Sequence, residues 1–219
     1  MVQKNSFVED HSSHCYDWFA LTDKASSLSK RVPSSKRGVV DPFSALHRFR
    51  VTPIAEQTSE GPMKWILRPG TSYIALDLEP RRAFEVFSDL IQHGHFGLCV
   101  TRSSPDTIRE SYGLRTTPIR WLASLKRDDV IAPSDLLGLS LTVVNFVQNA
   151  SQPVVILHGI EFLVAADEFK PVLKLIQRIN DVIIEKKGVL ILPLVPGSIG
   201  EQAQAQLTAE CARLPSSPD

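Results

Sequence analysis

The chain has 219 residues, of which 43% are hydrophobic and 22% charged, with 24 basic against 24 acidic side chains. That balance predicts one soluble globular domain plus additional chain, and a formal net charge of zero argues against a nucleic-acid or anionic-membrane binder. The longest apolar runs are too short and interrupted to span a bilayer, and MVQKNSFVEDHSSH lacks the apolar core of a secretory signal, so the expected location is the cytoplasm.

In chain order, residues 1–62 are rich in Ser, Lys, Arg and Pro without a sustained period, as in KASSLSKRVPSSKRG. Such a segment buries too little apolar surface to offset its ordering entropy and is expected to be disordered or weakly ordered. CYDWFAL (15–21) and DPFSALHRF (41–49) are read as loose tail rather than partner-binding helices. Trp65, Ile66 and Leu67 make 63–69 a candidate docking segment for the domain expected over 63–214, with 215–219 a flexible tail.

From residue 71 the pattern becomes regular. SYIALDL (72–78) reads as a strand, and EPRRAFEVFSDLIQHG places Ala83, Phe84, Phe87, Leu90 and Ile91 on one helical face, with Pro80 at its start and Gly94 at its stop. FGLCVTR (96–102) is a second strand, after which Ser103 or Ser104 caps a short helix opened by Pro105. IRWLAS (119–124) is a third strand, and PSDLLGLSLTVVNFVQNA (133–150) a helix starting at Pro133 or Ser134. PVVIL (153–157) is the fourth strand, with His158-Gly159 at its tip. EFKPVLKLIQRINDVIIEKKG (168–188) is an amphipathic helix, GVLILPLV (188–195) the fifth strand, and GEQAQAQLTAECARL (200–214) the last helix. Strands apolar on both faces, alternating with helices, predict an α/β three-layer sandwich around a mainly parallel five-stranded sheet.

Two long pieces, SYIALDL through IRWLA and VVILHGIEFLVAADEFKPVLKLIQRINDVI, resemble the "domain of unknown function 835" family, and so does GVLILPLVPGSIGEQ. The most specific segment is G-L-C-V-T-R-x-x-P-x-x-I-R-E-x-Y-G-L at 97–114. The resemblance covers nearly all of 70–214. It implies a typically archaeal protein from a family without an established activity, some of whose members carry the domain beside sensory or membrane modules. More remotely, the order of pieces is similar to the RecA/KaiC-like ATPase core, where strand one leads into a phosphate loop and strand four ends in a magnesium-binding acid.

Neither half of that ATPase chemistry is present in the residues. No G-x-x-x-x-G-K-[ST] occurs, and Asp77-Leu78-Glu79-Pro80 stands where the loop belongs. Two carboxylates repel a triphosphate, and a proline removes one N–H donor. His158 stands where the resemblance implies an acid, and neutral imidazole is a poor ligand for magnesium. Glu161 matches the family's acidic position, or it caps the turn into FLVAAD.

Other chemistries fare no better. Cys15, Cys99 and Cys211 make neither a disulfide framework nor a zinc knuckle, and Cys99 reads as a buried thiol. The groups His11, His14, Cys15 and His93, His95 read as incidental. PGSIG at 196–200 is no nucleophile elbow, and its Ser198 reads as a cap for the last helix.

In a parallel open sheet, ligands sit beyond the carboxyl ends of the strands. Asp77, Arg102, Ser103, Ser104, Ser124, His158, Glu161 and Pro196 are expected to converge there. Arg102 beside the 103–106 helix start is the candidate anion site, and a salt bridge from Arg102 to Asp77 or Glu161 is the favoured competing role. The leading functional reading is a non-catalytic cytoplasmic signalling or scaffold domain with a protein partner. The rival is a nucleotide- or phosphometabolite-binding domain without hydrolysis, and a hydrolase built on His158 and Glu161 stands third. No metal or cofactor is expected.

Overall fold

The structure is a computed structural model and describes residues 61–218. The expectations for 1–60 lie outside the described residues. Among the described residues, seven strands form one sheet: β1 (Thr71–Leu76), β2 (Phe96–Thr101), β3 (Ile119–Leu122), β4 (Val130–Ile131), β5 (Pro153–Leu157), β6 (Val189–Leu194) and β7 (Ala212–Arg213). Six helices accompany them: α1 (Arg81–Gln92), α2 (Pro105–Tyr112), α3 (Leu136–Asn149), α4 (Ile160–Ala166), α5 (Phe169–Lys186) and α6 (Glu201–Ala209). The spatial order is β4-β3-β2-β5-β6-β1-β7 and every pairing is parallel.

The pleat explains why the strands read as continuous apolar runs. In β5, Val154 and Ile156 enter one core while Val155 and Leu157 enter the other; in β6, Val189 and Ile191 alternate with Leu190, Leu192 and Leu194 in the same way. The first core packs under α1 and α2 through Phe84, Phe87, Leu90 and Ile108. The second packs under α3, α4, α5 and α6 through residues such as Leu139, Val143, Leu163, Ile176, Ile183 and Leu207. Connections that step from β1 towards β4 carry α1 and α2 on one face. Those that step back carry α3 to α6 on the other, as a single hand of crossover requires.

The sheet has seven strands rather than five. Val130–Ile131 adds an edge beyond β3, and Ala212–Arg213 leaves the expected last helix to pair with Tyr73 and Ile74 of β1. The expected strand tip after β5 turns at Gly159 (φ 112) into α4, a seven-residue helix. The cap of α3 is Asp135, whose side chain accepts from Gly138 N–H at 2.8 Å, rather than Pro133 or Ser134. Ser198 bonds back to Val195 O at 2.7 Å, and Gly200 occupies the α6 cap position.

The segment before β1 docks through Trp65, which is buried, and through the half-buried Leu67, while Ile66 faces outward. Asp89 on α1 accepts the backbone N–H groups of Lys64 and Trp65 at 2.9 and 3.0 Å. At the other end, Leu214 is buried and donates its N–H to Ile74 O, and Pro215 O accepts from Arg82, so 215 is tied to the domain rather than loose. Among the described residues, no helix is long and apolar enough to cross a membrane.

Candidate functional site

The carboxyl ends of β2 and β5 lie side by side, and their connections depart to opposite faces and in opposite directions along the sheet. This is the topological switch point, the place where open parallel sheets form a crevice. The backbones there are zipped together: His158 N–H donates to Val100 O at 2.9 Å and Arg102 N–H donates to His158 O at 3.1 Å.

The pleat then divides the side chains. Thr101 and His158 continue the alternation of Cys99 and Ile156 and point to the α1–α2 face. His158 meets the edge of Phe84, which is itself stacked on Tyr112 at 4.7 Å between ring centroids. His158 Nδ1 and Thr101 Oγ1 share a hydrogen bond of 3.0 Å, and the same oxygen accepts Ser103 N–H at 3.1 Å. The bond to Thr101 fixes the backbone just before α2, whereas the expected side-chain cap is absent: Ser104, at the α2 cap position, makes no capping bond. Burial pulls the His158 pKa below its ordinary value, and the Glu161 charge opposes this in part.

Arg102 goes the other way. Its guanidinium lies 4.3 Å above the Phe162 ring, and Nη1 donates to Leu122 O at 3.2 Å, on the α3–α6 face. Gly159 is required beside it: at φ 112 an added Cβ would stand 3.0 Å from the Cβ of Arg102. Among the described residues, Arg102 forms no ion pair, and the expected bridge to Asp77 or Glu161 is absent. Two strands, β5 and β6, separate β2 from β1, so Asp77 lies three strand spacings, roughly 14 Å, from Arg102.

Asp77 has a nearer partner. Arg82, in the first turn of α1, donates Nε to Asp77 Oδ2 and Nη2 to Oδ1, both at 3.0 Å. Its Nη1 donates to Leu214 O at 3.3 Å and Pro215 O at 2.6 Å. Sequence reasoning missed Arg82, although a carboxylate and an arginine flanking a proline-led helix start were there to read.

The remaining candidates are placed as follows. Glu161 sits in the first turn of α4, and its Oε2 is buried without a hydrogen-bond partner. Ser104, Ser124 and Pro196 are exposed, and Ser103 is half-buried. Cys99 is fully buried, and burial pushes its thiol pKa up; the Cys211 thiol is pushed up to about 12. A thiol held protonated in this way is a poor nucleophile. Among the described residues, no group of three or more His, Cys, Asp or Glu side chains is arranged to hold a metal ion.

The family model described as "Protein of unknown function (DUF835)" matches residues 78–211, more than half of the chain. The chain belongs to this family. The matched span of the DUF835 domain begins after Asp77 and takes in Arg82, Arg102, His158 and Glu161. No curated protein matches the chain.

Proposed function

We propose that this DUF835 domain is a non-catalytic, cytoplasmic signalling or scaffold module on a RecA-like core that has no phosphate loop. The observation that carries the reading is the turn after β1. Where a nucleotide needs free backbone N–H groups, Asp77, Arg82 and the carbonyls of Leu214 and Pro215 satisfy one another. An anion entering there would have to displace a bidentate carboxylate already held in place. The remote ATPase likeness rests on the order of the elements alone.

The test is phosphate release together with melting of the full chain in nucleotides, with and without magnesium. A ligand that binds only the folded state raises its apparent stability, so tight binding is visible as a shift. No turnover and no shift are expected. Turnover that disappears in His158→Ala or Glu161→Ala would make the domain a hydrolase.

A second reading, an anion- or nucleotide-binding domain without hydrolysis, draws support from Arg102 forming no ion pair among the described residues. Against it stands the direction of that side chain, which lies over Phe162 and away from the α2 helix start.

A further inference from the structure

We propose that the end of the domain at the amino ends of the strands docks on an anionic lipid bilayer, an inference that rests on reading the domain as an interaction module. The zero net charge conceals an uneven distribution. The segments that enter the inner strands β1, β2, β3, β5 and β6 carry Lys64, Arg68, Arg115, Lys186 and Lys187, all exposed, against the single acid Glu185. Asp128, Asp129 and Glu210 stand at the entries to the outermost strands, β4 and β7. The opposite end is acidic: Asp77, Glu79, Asp106, Asp135, Glu161 and Glu201 follow the strands there, against Arg81, Arg82 and Arg102. Lys186 and Lys187 end α5, where the macrodipole alone accounts for a cation. Lys64, Arg68 and Arg115 lie outside the helices and have no such explanation.

Two further observations select a bilayer rather than an acidic protein. First, Ile66 and Ile184, 68% and 62% exposed, belong to this same end of the domain. Ile66 is held outward by its neighbours: Trp65 is buried, Asp89 binds the Lys64 and Trp65 N–H groups, and Arg68 N–H donates to Tyr73 Oη at 2.8 Å. The segment then reaches Gly70, whose N–H donates to Gly188 O at 2.7 Å and which lies against Ile184 and Lys187. A lone exposed isoleucine is ordinary. Two of them among lysines and an arginine make the mixture that seats a protein in the headgroup region, apolar side chains inserted and cations against lipid phosphates. Second, none of these Lys and Arg side chains forms an ion pair among the described residues. Long, unpinned cations follow a diffuse charged surface, whereas recognition of particular carboxylates uses guanidinium forks fixed in place.

Co-sedimentation of the full chain with vesicles tests the proposal. Vesicles of phosphatidylcholine alone are compared with vesicles of phosphatidylcholine mixed with phosphatidylglycerol, at low and at near-physiological salt. Wild type is expected to bind only the mixed vesicles, and less at the higher salt. Lys186→Glu/Lys187→Glu is expected to lose about tenfold in partitioning, the scale of a few surface charges. Lys170→Glu/Lys174→Glu makes the same charge change at exposed positions near the other end of α5, and as the control should bind like wild type. Ile66→Ser/Ile184→Ser keeps every charge and is expected to lose about fivefold. If Lys186→Glu/Lys187→Glu melts below wild type, Lys64→Glu/Arg68→Glu takes its place with the same expectation. No binding to the mixed vesicles, equal binding to both kinds, equal loss in the control, or full binding by the isoleucine variant each overturns the bilayer assignment. Absent vesicle binding leaves the reading as an interaction module standing, whereas nucleotide turnover removes that reading without touching vesicle binding.

Discussion

Arg82 holds Asp77 through two hydrogen bonds of 3.0 Å while its third nitrogen reaches the carbonyls of Leu214 and Pro215. One guanidinium therefore joins the end of β1, the start of α1 and the last buried residue of the domain. The pair is partly buried, with side chains 23% and 31% exposed, so solvent screens it only in part.

Arg82→Ala is expected to destabilise the protein by about 2 kcal/mol, the scale of lost hydrogen bonds to a charged partner discounted for exposure. Arg82→Lys cannot reproduce the bidentate geometry and should recover less than half of that loss. Denaturant unfolding of the three proteins measures both. Equal stability of wild type and Arg82→Ala would show that the clasp contributes nothing to folding.

Glu161 gives the opposite expectation. Its buried Oε2 has no hydrogen-bond partner among the described residues, and such an atom costs free energy in the folded state. Glu161→Met should therefore be neutral or stabilising by about 1 kcal/mol. A clear loss of stability in the same unfolding experiment would mean that the carboxylate is satisfied in solution, by water or by a ligand.

For Arg102, the lack of an ion pair among the described residues replaces a costly substitution by a mild one. Arg102→Ala removes stacking on Phe162 and one bond to Leu122 O, about 1 kcal/mol in all for a side chain this exposed. Melting wild type and Arg102→Ala with and without phosphate adds the functional half of the test. A phosphate-induced shift confined to wild type would favour the anion-binding reading over the scaffold one.

His93 carries a pH dependence. Its Nδ1 lies 2.7 Å from Asp89 O and its Nε2 3.0 Å from Gly61 O, and a neutral ring donates to only one of these two carbonyls. The hydrogen bonds to Gly61 and Asp89 raise its pKa, desolvation opposes them in part, the Asp89 charge adds to the rise, and Lys64 works against it. A raised folded pKa stabilises the folded form fully below the unfolded value, near 6.5, and that contribution is lost as pH rises through the folded value. His95 and His158 act in the reverse sense, since burial lowers both, and folding is penalised as pH falls below their ordinary value. Global melting mixes these opposing terms, so the readout must be local. Amide exchange at Lys64 and Trp65, corrected for its intrinsic pH dependence, is expected to quicken as pH rises through the His93 transition. His93→Gln should abolish that dependence, and an unchanged profile in the variant would remove His93 from the account.

The layered sheet was legible because its strands announce themselves. PVVIL and VLILPL are apolar on both faces, and the helices between them keep a clean amphipathic period. What escaped was whatever is too short to show a period. Val130–Ile131 is two residues long, and Ala212–Arg213 is exposed and sits in AECARL, which suits a helix equally well. IEFLVAA prolongs the apolar run of β5, so only Gly159 signalled the change from strand to helix. The site failed for a topological reason: strand order is not written in the residues. Asp77 and Arg102 both end strands, yet β5 and β6, which follow both in the chain, are inserted between them.

The same insertion sets the order in which the domain is completed. β1 is the first described strand to leave the ribosome, and its neighbours are β6 and β7, the last two; Thr71 pairs with Val189, and Tyr73 with Ala212. Until those strands are synthesised, TSYIAL lacks the partners it has on both edges in the folded sheet. β2, β3 and β5 meet their partners earlier. Closing so long a loop is slow, and exposed strand edges invite association in the meantime. Arg82 makes its bonds to Leu214 and Pro215 only once β7 has been synthesised, so this arginine fastens a seam that biosynthesis leaves open until the last described strand is out.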